Sequence, residues 1–347
     1  MFQSGVFRLT LLLVVVAAAA AVLLARVDPA VVERAYARGL YPAIGQAIGG
    51  LTGRVAFSVT EPGAAVLGVG LGYALAHGWR QPRLWVALVG GAAFGWLVFQ
   101  SVWGVNYRRE PIALAFRLDV RPSSVAELRA LGTELAAAIN TTAAWSGGDD
   151  AVAEVLREGP RIFAEADVRY PFLAGSYAPP KPLIGSELLS WLGLLGFYNP
   201  YTAEPNINVR APAFVIPFVV LHEMAHARGV ASEDEASFVG YLLGRDSGDP
   251  RFRYSALWEA VTYVGAALRG VDPVGATAFW DGLSPRVRAD TETYGAWREA
   301  HASPLQALAR AVNDTYLRSQ GVADGVHSYG RVTDLVLAEW RSRNAGP

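Results

Sequence analysis

Three apolar stretches in the first 105 residues constrain this chain most, because segments of that length must be covered either by lipid or by a large core. Leu9 to Ala25 carries no charge between Arg8 and Arg26, and further apolar segments run from about Gly63 to Gly78 and from Leu84 to Trp103. Each approaches bilayer length, so residues 1–105 are expected to form a membrane region with about three transmembrane helices, at 9–25, 63–78 and 84–103. The first is Ala-rich and near the N-terminus, like a signal peptide. Further spans follow it, however, and no strong small-x-small cleavage site does, which favours a retained span. The second is short and Gly-rich, which leaves a two-span chain or a re-entrant segment open. Trp79, Trp85, Trp96 and Trp103 fall mostly near the expected ends, where amphipathic rings prefer the interface.

An integral protein of the cell (inner) membrane, in contact with the lipid bilayer, is therefore expected. Sidedness stays open. Arg26, Arg34, Arg38 and Arg54 in the amphipathic loop 26–62, with Arg108 and Arg109, outnumber Arg8, Arg80 and Arg83, which would put the later domain in the cytoplasm. The same loop carries Asp28, Glu33 and Glu61, and its length equally fits an outside structure packed on that domain.

Residues 106–347 read as one globular domain, expected to be mainly α. Helical patterns recur at 125–142, 151–163, 186–195, 251–268, 273–283, 285–300, 304–319 and 328–341, while period-two alternation is scarce. The segment Tyr198 to Val209 reads as a small extended β edge, with Glu204 and Asn208 as candidates to line a substrate groove, or else as a turn-rich loop. A formal net charge of −1 offers no basic excess for nucleic acid. With Cys 0 there is no disulfide, thiolate metal site or cysteine nucleophile. Lys181 is the single lysine, which reads as a compositional bias towards Arg.

The chemistry is named by His222-Glu223-Met224-Ala225-His226. On a helix, positions i and i+4 share a face, so both imidazoles can reach one metal ion while Glu223 approaches its water. Zinc brings the pKa of such a water towards neutrality, and Glu223 can take the proton as general base. An apolar run from Phe214 to Leu221 buries this helix and Gly229 is placed to end it. Catalytic zinc usually has three protein ligands, and the acidic first turn after Ser232 offers Glu233 or Glu235 as the third. Glu233 shares a face with Ala236, Ser237 and Gly240; Glu235 shares one with Phe238 and Leu242. His301 and His327 are distant alternatives, and Tyr329 is a candidate oxyanion donor or a packed helix-entry residue. His and carboxylate ligands suit Zn2+, though also manganese, iron or cobalt.

Several segments together resemble the uncharacterised bacterial membrane-protein family catalogued as domain of unknown function 3810. They are Val32 to Pro42, Trp103 to Arg109, Pro180 to Pro182, Thr202 to Asn208 and His222 to Leu242. The resemblance implies a multi-span N-terminal region followed by a zincin-like metallopeptidase domain. The pattern of His222, Glu223, His226, Gly229, Glu233, Glu235 and Ala236 is also similar to the gluzincin peptidases. That likeness implies Glu233 as third ligand, with Ser237 where those enzymes keep an Asp. The functional expectation is a membrane-anchored zinc metallopeptidase acting on protein or peptide substrates at the bilayer. The alternative is a non-catalytic membrane protein with a structural or sensory metal site.

Overall fold

The computed structural model describes residues 5–142, 149–322 and 331–344, and the chain within them is mostly helical. The N-terminal helix Gly5–Leu24 packs along Pro82–Val102, where Gly90 makes the contact possible. A Cβ there would lie 2.6 Å from Thr10 Oγ1, which instead donates to the Val86 carbonyl at 3.1 Å. These two helices are long and apolar enough to cross a membrane. The expected span at 63–78 forms the helix Thr60–Gly78, but its glycines and polar ends keep it below the same measure.

The metal helix, Ile216–Ala227, is apolar around most of its circumference because it is buried on nearly every side. Against it lie the acid helix Glu233–Asp246, the long helix Pro250–Val271 and the helix Asp149–Ala166. Val125–Thr141 closes the core from the far side of the long helix, and Val332–Asn344 packs on the acid and long helices. The expected helix at 186–195 stops at Leu192, since Gly193 turns left-handed with φ of 73°.

The sheet has three short strands, β1 (Lys181–Pro182), β2 (Gly196–Asn199) and β3 (Glu204–Ile207), in the order β1-β3-β2. β1 runs parallel to β3, and β2 antiparallel, with Tyr198 opposite Pro205. This corrects the reading of Tyr198 to Val209 as one edge. Its second half is the buried central strand, and the outer strand of the hairpin is β2.

The loop 26–62 packs onto the later part of the chain. The Tyr41 hydroxyl at the start of its helix Tyr41–Thr52 reaches the end of the metal helix, the helix itself packs against Tyr177 and Ala178, and Lys181 fastens the turn that follows. Lys181 is 2 % exposed, and its ammonium donates to the carbonyls of Thr52, Val55 and Phe57. The only lysine therefore has a structural task that composition alone did not reveal. Lys181→Met should leave those carbonyls without their donor, at a cost of about 1–3 kcal/mol. Thermal unfolding of the purified chain should show the midpoint fall by roughly 2–4 °C per kcal/mol lost, and an unchanged midpoint would refute the role.

Candidate metal centre

A helix leaves its last four carbonyls without intrahelical donors, and at Ala227 the metal helix ends inside the protein. Each of the four is met. Met224 O accepts from Arg228 Nη1 at 3.0 Å. Ala225 O accepts from the Val230 amide at 3.2 Å, and His226 O from the Gly229 amide at 2.9 Å, the paired bonds of a glycine-terminated helix. His226 O also accepts from Trp103 Nε1 at 3.1 Å, and Ala227 O accepts from the Tyr41 hydroxyl at 2.7 Å. Gly229 takes φ of 79°, and a Cβ there would sit 2.9 Å from the Tyr41 ring. Arg109, paired with the buried Glu33 at 2.8 Å, donates to the Gly229 carbonyl at 3.0 Å.

This turn directs the Val230 carbonyl back at His226 Nδ1, 2.7 Å away. A carbonyl only accepts, so Nδ1 carries a proton and, in the neutral ring, Nε2 carries the lone pair. His222 Nδ1 lies 3.2 Å from Ser237 Oγ on the acid helix. Small residues Ala236 and Gly240 let the acid helix approach closely, and a Cβ at Gly240 would be 3.4 Å from the His222 amide nitrogen. Glu233 is thereby brought over the two imidazoles. His222 Nε2 and His226 Nε2 are 3.1 Å apart, and Glu233 Oε2 lies 3.2 Å and 3.4 Å from them. Three lone-pair-bearing atoms at these separations need a proton or a cation between them. A tetrahedral ion with bonds of about 2.0–2.1 Å separates its ligand atoms by about 3.3 Å, so the donor set fits zinc in kind and spacing.

The electrostatics follow from this crowding. Burial opposes charge on Glu233, but His226 and His222 outweigh it and hold the carboxyl well below its usual range. Burial likewise opposes charge on His226, yet Glu233, Glu223 and the Val230 carbonyl raise it to about 9. His222 is lowered, chiefly by burial and then by its cationic neighbour His226. Glu223 is pushed up to about 8 by burial and next by Glu233. Its Oε2 is buried without a hydrogen-bond partner, and the nearby Tyr198 amide of β2 tempers the rise. β2 passes so near that a Cβ on Gly196 would meet Glu223 Oε1 and the Asn206 carbonyl at 2.9 Å each.

The structure thus gathers His222, His226 and Glu233, with Glu223 beside them. Glu235 is placed elsewhere: two residues on, it points to the opposite side of the helix, and its Oε1 accepts from the Ile112 amide at 2.7 Å. Glu204 and Asn208 do not line a groove. Glu204 accepts the Val59 and Thr60 amides that open the helix Thr60–Gly78, and Asn208 bonds to Ser190 Oγ and the Leu194 carbonyl. His301 bonds to the Trp297 carbonyl and lies 3.5 Å from Glu187, away from the cluster. His327 and Tyr329 lie outside the described residues. Sequence reasoning missed Tyr41, Trp103 and Gly196, whose roles depend on which loop packs where; the glycine at the start of an aromatic run was the only local signal.

A family model described as protein of unknown function (DUF3810) matches residues 36–337. The chain belongs to that family. No curated protein and no solved structure matches it.

Two outcomes test the geometry. Any metal must displace the proton that His226 holds below about 9, so affinity should rise about tenfold per pH unit or more from about 7 and level off above that point. Competition with a chromophoric chelator reads this directly, and a flat profile would refute the protonated ligand. Elemental analysis should find zinc lost from Glu233→Ala and kept by Glu235→Gln; the reverse would make Glu235 the third ligand.

Proposed function

We propose that this member of the DUF3810 family is a membrane-anchored, zinc-dependent metallopeptidase that hydrolyses peptide bonds of membrane-proximal proteins or peptides. The observation that carries the reading is the convergence of His222 Nε2, His226 Nε2 and Glu233 Oε2 at 3.1–3.4 Å, with an unpartnered Glu223 carboxylate oxygen beside them. His222, His226 and Glu233 would hold the ion. When bound, zinc supplies a Lewis acid that acidifies water and polarises the scissile carbonyl. Glu223 Oε2 receives the proton from the attacking water and delivers it to the leaving amine.

β2 supplies the substrate edge. Tyr198 stands opposite Pro205 of β3 and its amide lies near Glu223, so β2 overlooks the base. An extended peptide added along β2 would present its backbone to Glu223 and would be held by main-chain bonds that tolerate many side chains. The likeness to gluzincin peptidases supports the same assignment. Anchoring is supported by the helix Pro82–Val102, which leads straight into Trp103, the residue bonded to the His226 carbonyl. Substrates at the bilayer are favoured by that short path.

A non-catalytic metal site would need no base. Burying Glu223 with one oxygen unsatisfied costs about 1–3 kcal/mol, a penalty that makes sense where the oxygen receives a proton. The purified full-length chain should cleave casein or a broad peptide library. Glu223→Gln should lower turnover at least about a hundredfold while zinc content stays the same. A wild type that holds zinc and cleaves nothing would favour the structural or sensory reading. Gly196→Ala, which pushes β2 against Glu223 and the Asn206 carbonyl, should cut turnover while leaving zinc bound, and full activity would refute the contact.

A further inference from the structure

One apolar face of the later domain is left uncovered. On the helix Pro304–Ser319, Leu305, Leu308 and Val312 are 44 %, 62 % and 61 % exposed. At about 3.6 residues per turn they share one side with Tyr316, while Arg310, Asp314 and Arg318 fall on the opposite side. Gln306 and Leu317, which turn into the protein, lie between the two. Large aliphatic side chains along one side and charges along the other are the pattern of a helix that lies in a membrane–water boundary.

What covers the apolar side follows from where the helix is fixed. Pro82–Val102 has 21 residues, and at about 1.5 Å per residue it is about as long as a hydrocarbon layer of roughly 30 Å is thick. A span with no length to spare has its last turns at the lipid boundary. Those turns are where the domain is attached. Tyr201 Oη donates to the Gly95 carbonyl at 3.1 Å, and Gln100 Nε2 donates to Gln320 Oε1 at 3.0 Å. The Phe99 ring meets that of Tyr316 edge-on at 6.0 Å. Counted from Val102, the Gly95 contact lies about 10 Å inside the end of the helix. Tyr316 and Gln320 belong to the C-terminal end of Pro304–Ser319, and its N-terminal end is held by Ser303 Oγ, which donates to the Trp191 carbonyl at 2.6 Å. The side that meets the span at Tyr316 therefore continues, uncovered, through Val312, Leu308 and Leu305. We propose that this side docks on the bilayer around the span, with Leu305, Leu308 and Val312 among the acyl chains and the charged side towards water. The metal helix, bonded to Trp103 at the end of the same span, is thereby held at a fixed height above the lipid. This docking rests on the reading of Pro82–Val102 as a membrane span.

The chain has no cysteine, so a single introduced thiol reports one position. Leu308→Cys, Val312→Cys, Arg310→Cys and, on the span, Phe94→Cys each carry a fluorescent label in the full-length chain, reconstituted in phosphatidylcholine vesicles. All four positions are exposed, which spares the core. Lipids brominated near the top of the acyl chains should quench the labels at 308 and 312 at least about threefold more than the label at 310, because an interfacial helix buries its apolar side about 5–10 Å into the headgroup and acyl boundary. Iodide in the water should quench them in the reverse order. Labels at 308 and 312 that iodide reaches as readily as the label at 310 would overturn the docking. Labels at 308 and 312 shielded from both quenchers would overturn it too, in favour of a second copy of the chain if the shielding fades on dilution in lipid and of cover by the chain itself if it persists. A label at 94 that brominated lipid does not quench would instead overturn the span, and the docking would fall with it.

Discussion

A helix that ends inside a protein must find donors for its final carbonyls, and the rest of this structure is arranged around meeting that requirement for Ile216–Ala227. The donors come from far apart in the chain. Arg228 and the Gly229 turn are local, but Trp103 follows a candidate membrane span and Tyr41 belongs to the N-terminal loop. Arg109 and Glu33 then tie that loop to the same turn by a buried ion pair. Part of what holds the N-terminal hundred residues on the domain is thus the satisfaction of one helix end. Since that turn also aims the Val230 carbonyl at His226, the capping arrangement and the orientation of a candidate ligand are a single physical fact.

Polarity inside this core is concentrated where charge can be balanced. His222, His226 and Glu233 offset one another, and they hold a proton in the absence of metal because lone pairs so close repel. Glu223 and Glu259 are different, since neither has a cationic partner at hydrogen-bond distance and burial raises both. One lies beside the cluster under β2 and the other on the long helix Pro250–Val271. A core that retains two such carboxyls gives up stability.

The small sheet serves mainly as a joint. β3 sends Glu204 to the start of Thr60–Gly78, β1 supplies Lys181 to the preceding turn, and Glu61 accepts the amides of Ile184 and Gly185 beyond β1. These bonds fix the entry of the N-terminal helical arm relative to β2. The free side of the sheet is left to Gly196–Asn199, over Glu223.

The sequence by itself determined the helical character of the domain, the i, i+4 pairing of His222 with His226, the glycine stop after it, and the small-residue face that carries Glu233. All of these rest on local periodicity or on backbone rules that neighbouring residues set alone. The helices Gly5–Leu24 and Pro82–Val102, long and apolar enough to cross a membrane, were legible for the same reason, as their length and hydropathy are local properties. Only the tertiary structure separated Glu233 from Glu235, because the two differ by a rotation about the acid helix and the crossing with the metal helix decides which side faces in. It also divided the segment Tyr198 to Val209, expected as one edge, making β3 central and β2 an edge, since strand order depends on a partner, Lys181–Pro182, that lies some twenty residues away. Tyr41, Trp103 and Lys181 carried no local signal, because each donates to a carbonyl that is distant in sequence and near only after the helices have packed.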